Sequence, residues 1–246
     1  MAAIAADAIG PENITLIFMP SKYTSKNSRD DAFTLARNFG IKLKVISIKK
    51  AARLYSRMLA PYFQGSKTGK AEENLQSRIR GNISMAFSNK FGDIVLTTGN
   101  KSELSTGYAT LYGDMAGGFA VIKDVPKTLV YRLCRYRNKT ADFDIIPENI
   151  LKKPPTAELK FRQKDSDTLP PYPLLDRIIE DYIEKDKTFY ELKNRYPEKV
   201  LKKTIKMIDM NEYKRRQSPP GIKITPKAFG RDRRMPITNK YENNGD

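Results

Sequence analysis

The sequence predicts an α/β protein, a parallel sheet flanked by helices, and two kinds of pattern predict it. Apolar runs at 14–19, 41–48 and 93–98 have the length of buried strands, and an amphipathic helical pattern at 30–39 lies between the first two. Strand, helix and strand joined by short links are the signature of a parallel crossover unit. At 246 residues the chain is long enough to bury the core of one large domain.

Each element has its own warrant. Residues 2–10, AAIAADAIG, are alanine-rich and close with Gly10, which reads as the last turns of a helix and its stop. So short a helix is marginal alone, so it reads as the tail of a longer one. The strand at 14–19 runs into Pro20 and a Ser/Lys/Thr loop at 21–25 that either lines a ligand or is a solvated turn. Phe33, Leu35, Ala36 and Phe39 form the buried face of the next helix, with Asn27 and Ser28 ahead as caps and Gly40 behind. Leu43, Val45 and Ile46 are set among lysines in the strand at 41–48. After a Gly/Lys loop at 65–70, Leu75, Ile79, Ile83 and Phe87 recur every four residues and predict a helix over 72–89. A helix over 126–137 follows the strand at 93–98, with Pro126 near its first turn and Leu129, Val130 and Leu133 buried. Residues 147–173 turn to Pro, Lys, Asp and Thr, an irregular excursion of the kind that often covers an active site. Helices are expected at 174–184 and 198–216, the second with Val200, Leu201, Ile205 and Ile208 on its apolar side. The basic tail, about 218–246, reads either as disordered or as docked through Ile222, Ile224, Phe229, Met235 and Ile237, and those hydrophobics favour docking.

A formal charge of +17, from 45 Lys and Arg against 28 Asp and Glu, predicts an anionic partner. Excess charge alone does not distinguish nucleic acid, acidic lipid and a polyphosphate metabolite. No nucleic-acid motif accompanies it and the aromatics are not interleaved with a basic stripe, so nucleic acid is not expected. With one cysteine, Cys134, and no histidine, an internal disulfide, Cys–His catalysis and the usual zinc sites are excluded. The apolar stretches are too short to span a membrane and the start lacks a basic signal region, so the expected location is cytoplasmic.

The chemistry-bearing stretch is 93–127. Its apolar run breaks at Gly99 into a polar segment that offers the Thr98 hydroxyl, the carboxylates of Glu103 and Asp114, the pair Gly117-Gly118 and the Lys127 cation. In a parallel sheet ligands bind where strands open into such loops, and these residue types suit phosphates and a hard metal ion. On the helix at 72–89, Asn74, Arg78 and Gly81 lie off the apolar stripe, a position that is ordinarily only solvated.

Four spaced segments carry a resemblance: Asn74-Leu-Gln-Ser-Arg-Ile-Arg-Gly81, Thr97-Thr-Gly-Asn-Lys-Ser-Glu-Leu-Ser-Thr-Gly-Tyr108, Tyr112-Gly-Asp-Met-Ala-Gly-Gly118 and Lys214-Arg-Arg-Gln-Ser-Pro-Pro-Gly-Ile-Lys223. Together they resemble the synthetase domain of bacterial glutamine-dependent NAD synthetases, from Ala2 to about Tyr241. The resemblance implies an ATP pyrophosphatase fold, often in a homodimer, and an ATP-dependent carbon–nitrogen ligase. In that reaction ATP with Mg2+ adenylates the nicotinate carboxylate of deamido-NAD, and ammonia, free or from glutamine, displaces AMP. Carried over by position, Thr98 is an ATP contact, and Asn74, Glu103 and Lys223 are deamido-NAD contacts. Glu103 is in addition a magnesium contact, and Asp114 and Lys127 are further substrate contacts. Such a site works by screening charge and aligning two anions, and it needs no protein nucleophile.

The sequence departs from that family twice. The pyrophosphate loop Ser-Gly-Gly-x-Asp-Ser and the amino-terminal glutaminase domain are not found in these 246 residues. The expectation is therefore an amino-terminally truncated domain with its first strand missing, whether as gene fragment, split gene or mis-assigned start. Two readings follow: a ligase that needs the missing segment, or a non-catalytic remnant or split-gene subunit that binds a dinucleotide or a partner chain.

Overall fold

The computed structural model describes residues 1–141 and 143–238, so 239–246 of the basic tail lie outside the described residues. The chain divides into two compact units, 1–93 with 131–167 and 94–130 with 168–246.

In the first unit the predicted crossover forms. Strand β1, Thr15–Phe18, pairs in parallel with β2, Lys42–Val45, in the register Thr15↔Lys42 to Phe18↔Val45. Helix α1, Ala2–Ile9, precedes β1, and α2, Lys26–Asn38, connects the strands. Ser25 starts α2 by accepting the Ser28 N–H at 3.1 Å, and Gly40, at φ +64°, turns the chain into β2. The apolar residues that close this unit are Phe39, Ile41, Ile145 and Ile146, packed by Ala2, Ala6, Leu16 and Leu35.

Residues 49–59, which no cap or period singled out, form α3, Lys49–Leu59. It has no buried residue, and its helix-favouring Ala, Leu, Lys and Arg content accounts for it. The helix expected at 72–89 is α4, Lys70–Phe91, lengthened by a Glu72 carboxylate that accepts the Gly69 N–H at 2.7 Å and ended by Gly92 at φ +75°. Of its expected stripe, Ile79 is buried while Leu75, Ile83 and Phe87 are half-buried; Gln76, Ser77 and Gly81 are buried with Ile79. The excursion at 147–173 holds the short α7, Glu148–Lys152, and is fastened to α2: Ser25 and Ser28 donate to Glu158 at 2.9 and 2.7 Å, and Lys153 meets Asp31 at 2.9 Å.

In the second unit the strand expected at 93–98 shrinks to one parallel bridge, Leu96↔Phe119. The polar segment after it is helical: α5, Lys101–Thr106. Helix α6, Lys127–Thr140, begins in this unit and continues in the first. Helix α8, Tyr172–Ile179, runs into a wider turn over Glu180–Glu184, followed by α9, Phe189–Leu192. The helix expected over 198–216 is broken at Asn211 into α10, Glu198–Met210, and α11, Glu212–Arg215. Asn211 causes the break by donating to both Met207 O at 2.7 Å and Thr106 O at 3.0 Å. The core of this unit is aliphatic and dense, with Leu175, Ile178, Ile183, Leu192, Leu201, Ile205 and Ile208 all fully buried. Among the described residues no helix is long and apolar enough to cross a membrane.

The described part of the tail, 218–238, packs on the second unit with two of its five hydrophobics. Met235 is buried in the aliphatic core and Phe229 packs against it, whereas Ile222, Ile224 and Ile237 are exposed. Polar bonds do the rest of the fastening.

Candidate functional site

Local chemistry builds the site from the turn at 97–107. Asn100 accepts the Glu103 N–H at 3.1 Å, and the Glu103 carboxylate accepts the Asn100 N–H at 3.2 Å, a reciprocal cap that starts α5. Gly107, at φ +67°, ends it. The Asn-x-x-Glu…Gly spacing was the sequence signal for this helix, masked by the polarity of the stretch. The second oxygen of Glu103 meets Lys127 Nζ at 2.9 Å, and that ammonium also lies 5.3 Å from the Tyr172 ring centre. The start of α6 is held alongside: Lys127 N–H donates to Ser102 Oγ at 2.9 Å, and Thr128 donates to Asp176 through its N–H at 2.8 Å and its hydroxyl at 2.7 Å. Ser102 also bonds Asp176.

The pair Gly117-Gly118, expected to face phosphates, serves packing instead. A Cβ on Gly117 would stand 2.6 Å from Thr97 Cγ2 and 2.8 Å from Val95 O, so side chains are excluded by the approach of 94–97. Thr98 is exposed just beyond that contact. Asp114 is exposed and accepts the Thr110 N–H at 2.8 Å, closing its own turn.

Behind this surface lies a buried ionic cluster that sequence reasoning missed. Lys101, 1% exposed, is ringed by Asp124 at 3.0 Å, Glu184 at 2.7 Å, Thr225 Oγ1 at 2.5 Å and Lys227 O at 2.9 Å. Asp124, 2% exposed, accepts the N–H groups of Ile224 and Thr225 at 2.8 Å each and the Thr225 hydroxyl. No periodicity or composition marks these residues, because a lone Lys and a lone Asp in polar segments read as solvated.

The tail is docked along the same side of the unit. Ala120 N–H donates to Pro220 O at 2.8 Å, and Lys123 Nζ reaches Ser218 Oγ and Pro219 O at 2.7 Å each. Burial pushes the Lys123 ammonium below its ordinary pKa, and the neighbouring Asp124 charge works the other way. Gly221 is required where it stands, since a Cβ there would meet Ala120 O at 2.2 Å. Lys223 is half-buried and paired with Asp232 at 2.8 Å, a carboxylate that also accepts the Ala228 N–H at 2.9 Å. The Lys223 bond, then the Ala228 bond, hold Asp232 below the usual carboxylate pKa.

Of the six predicted site residues, then, Glu103 and Lys127 are in contact and Lys223 is tied to the same unit through Thr225. Thr98 and Asp114 belong to that unit as well, and Asn74, half-buried on α4, belongs to the other. Both oxygens of Glu103 are engaged, one by Lys127 and one by the Asn100 N–H, and among the described residues no group of three or more His, Cys, Asp or Glu side chains stands together.

Known proteins are similar to this chain over nearly its full length. The glutamine-dependent NAD(+) synthetase of Thermotoga maritima is 54% identical over 243 residues, covering 98% of this chain and 42% of that protein. The solved glutamine-dependent NAD+ synthetase of Acinetobacter baumannii, in complex with ADP, is 44% identical with a TM-score of 0.61, covering 97% of this chain and 43% of that one. That of Cytophaga hutchinsonii, at 22% identity, superposes with a TM-score of 0.76 over 92% of this chain and 39% of its own. The fold is accordingly the α/β ATP pyrophosphatase fold of NAD synthetases, with a small parallel sheet and many helices. The chain spans about two fifths of the length of these relatives. NAD synthase is the family matched over residues 1–218, and the chain belongs to it.

Proposed function

We propose that this chain carries the amide-forming part of an NAD synthetase: ATP adenylates the nicotinate carboxylate of deamido-NAD, and ammonia displaces AMP. In this reading Asn74, Glu103 and Lys223 contact deamido-NAD, Thr98 contacts ATP, and Asp114 and Lys127 contribute further substrate contacts. The observation that carries it is the capped turn of α5, which holds Glu103 2.9 Å from Lys127 in the unit that also contains Lys223. A carboxylate and two ammonium groups there match a dinucleotide with a pyrophosphate and an acid group. Magnesium enters only as the counter-ion that ATP brings with it. Ammonia comes from the glutaminase part of a longer protein or free from solution, and the working unit is a homodimer; a chain with one cysteine suits the reducing cytoplasm.

Isothermal titration of deamido-NAD into the chain tests the assignment. Binding is expected to weaken by about tenfold on Lys223→Ala, the loss of one charge-assisted contact. Glu103→Gln, which keeps an oxygen for the Asn100 cap, is expected to change affinity without lowering the unfolding temperature. Affinity indifferent to both substitutions would overturn the assignment.

A further inference from the structure

We propose that Thr225, gripped by the buried Lys101–Asp124 pair, is the positioning residue that delivers Lys223 to the dinucleotide. The proposal rests on the reading of Lys223 as a deamido-NAD contact and adds the device that holds it there.

Three observations carry it. The cluster is built where four separate segments meet: Lys101 opens α5, Asp124 precedes α6, Glu184 ends the turn after α8, and Thr225 lies in the tail. Lys101, Asp124 and Thr225 sit two or three residues from a candidate contact, namely Glu103, Lys127 and Lys223 in the same order. One ionic knot therefore sets the register of all three backbones. The tail's side of the knot is also the one a water-exposed segment could least hold unaided. Ile222 and Ile224 are exposed and give no apolar anchorage, so the bonds from Ile224 N–H, Thr225 N–H and Thr225 Oγ1 to Asp124 fix this stretch. Lys101 adds its own bonds to Thr225 Oγ1 and Lys227 O. Finally, Asp124 and Lys101 are 2% and 1% exposed, so neither charge is available to a ligand. Their effect on one can only pass through what they hold.

Thr225→Val tests this, because it is nearly isosteric and removes only the hydroxyl. The ion pairs of Lys101 with Asp124 and Glu184 stay, as do both amide bonds to Asp124, so the chain keeps its fold. Trypsin cleavage after Lys223, followed by mass spectrometry, reads the clamp without any ligand; a several-fold faster cut is expected in Thr225→Val, with the original rate restored in Thr225→Ser. Titration with deamido-NAD reads the delivery. Thr225→Val should weaken binding by about tenfold, and the double variant Lys223→Ala/Thr225→Val should bind no more weakly than Lys223→Ala alone. An unchanged cleavage rate overturns the clamp. Faster cleavage with unchanged affinity, or losses that add in the double variant, overturns the delivery of Lys223 while leaving its contact standing. Lys223→Ala binding as the unsubstituted chain does, or no binding by the unsubstituted chain, removes the contact itself and the proposal with it.

Discussion

Replacing Asp124 by Ala is expected to lower the unfolding free energy by about 3 kcal/mol, the low end of what breaking a buried ion pair costs. The substitution strands two backbone N–H groups, those of Ile224 and Thr225, and strips one of two carboxylates from a lysine that is 1% exposed. Glu184, 2.7 Å from the same ammonium, keeps Lys101 from being wholly unpaired, which is why the upper end is not expected. Asp124→Asn, which retains an acceptor oxygen, should lose less. Urea unfolding followed by fluorescence gives both values, and a loss below about 1 kcal/mol for Asp124→Ala would mean that solvent reaches the cluster and that it clamps nothing.

The second large effect is on acid stability, through Asp181 in the turn after α8. Burial by itself raises this carboxyl's pKa. Hydrogen bonds from Tyr196 at 2.7 Å and from Lys187 and Lys185 at 3.2 Å each outweigh it and bring the pKa down to about 2, against 3.8 when unperturbed. A depressed carboxylate pKa stabilises the fold at pH values above 3.8, and that contribution is lost as pH falls through about 2. The shift corresponds to about 2 kcal/mol, less whatever the partly hydrated lysines forfeit to solvent. Its partner behaves in the opposite sense. Burial, and then the bond to Asp181, push the Tyr196 phenol up to about 12, so its contribution is complete below pH 10 and lost as pH rises through about 12. The unfolding midpoint of Asp181→Asn should therefore fall less than that of the unsubstituted chain between pH 5 and pH 2. Parallel falls would show that Asp181 is not the group responsible.

What could be read from the residues alone follows from how locally each feature is determined. The βαβ unit was legible because Phe33 to Phe39 repeats with helical period between two apolar runs of strand length, and both signals are short-range. The strand expected at 93–98 reduces to the single bridge Leu96↔Phe119, because its apolar run has only Ile94, Val95 and Leu96. Helix α5 is hidden in the sequence because its cap residues, Asn100 and Glu103, lie in a wholly polar stretch where Glu103 reads as a ligand-facing group; Glu103 is both a cap and a neighbour of Lys127. The break at Asn211 and the Lys101 cluster depend on partners 105 and 124 positions away, which no window of sequence contains. The same is true of Gly117, whose role is set by the backbone at Val95. The candidate contacts themselves came from motif resemblance, and the geometry adds what holds them: a cap for Glu103, a ring and a carboxylate for Lys127, and a docked, bolted tail for Lys223.

That Lys127 and Lys223 serve one ligand is the central claim, and competitive acetylation of lysines measures it directly. The chain is labelled with trace acetic anhydride with and without saturating deamido-NAD, and each lysine's rate is read by mass spectrometry. Lys127 and Lys223 are expected to slow together by several-fold while the exposed Lys199 on α10 reacts unchanged. Protection of neither lysine, or equal slowing at Lys199, would contradict a shared dinucleotide site.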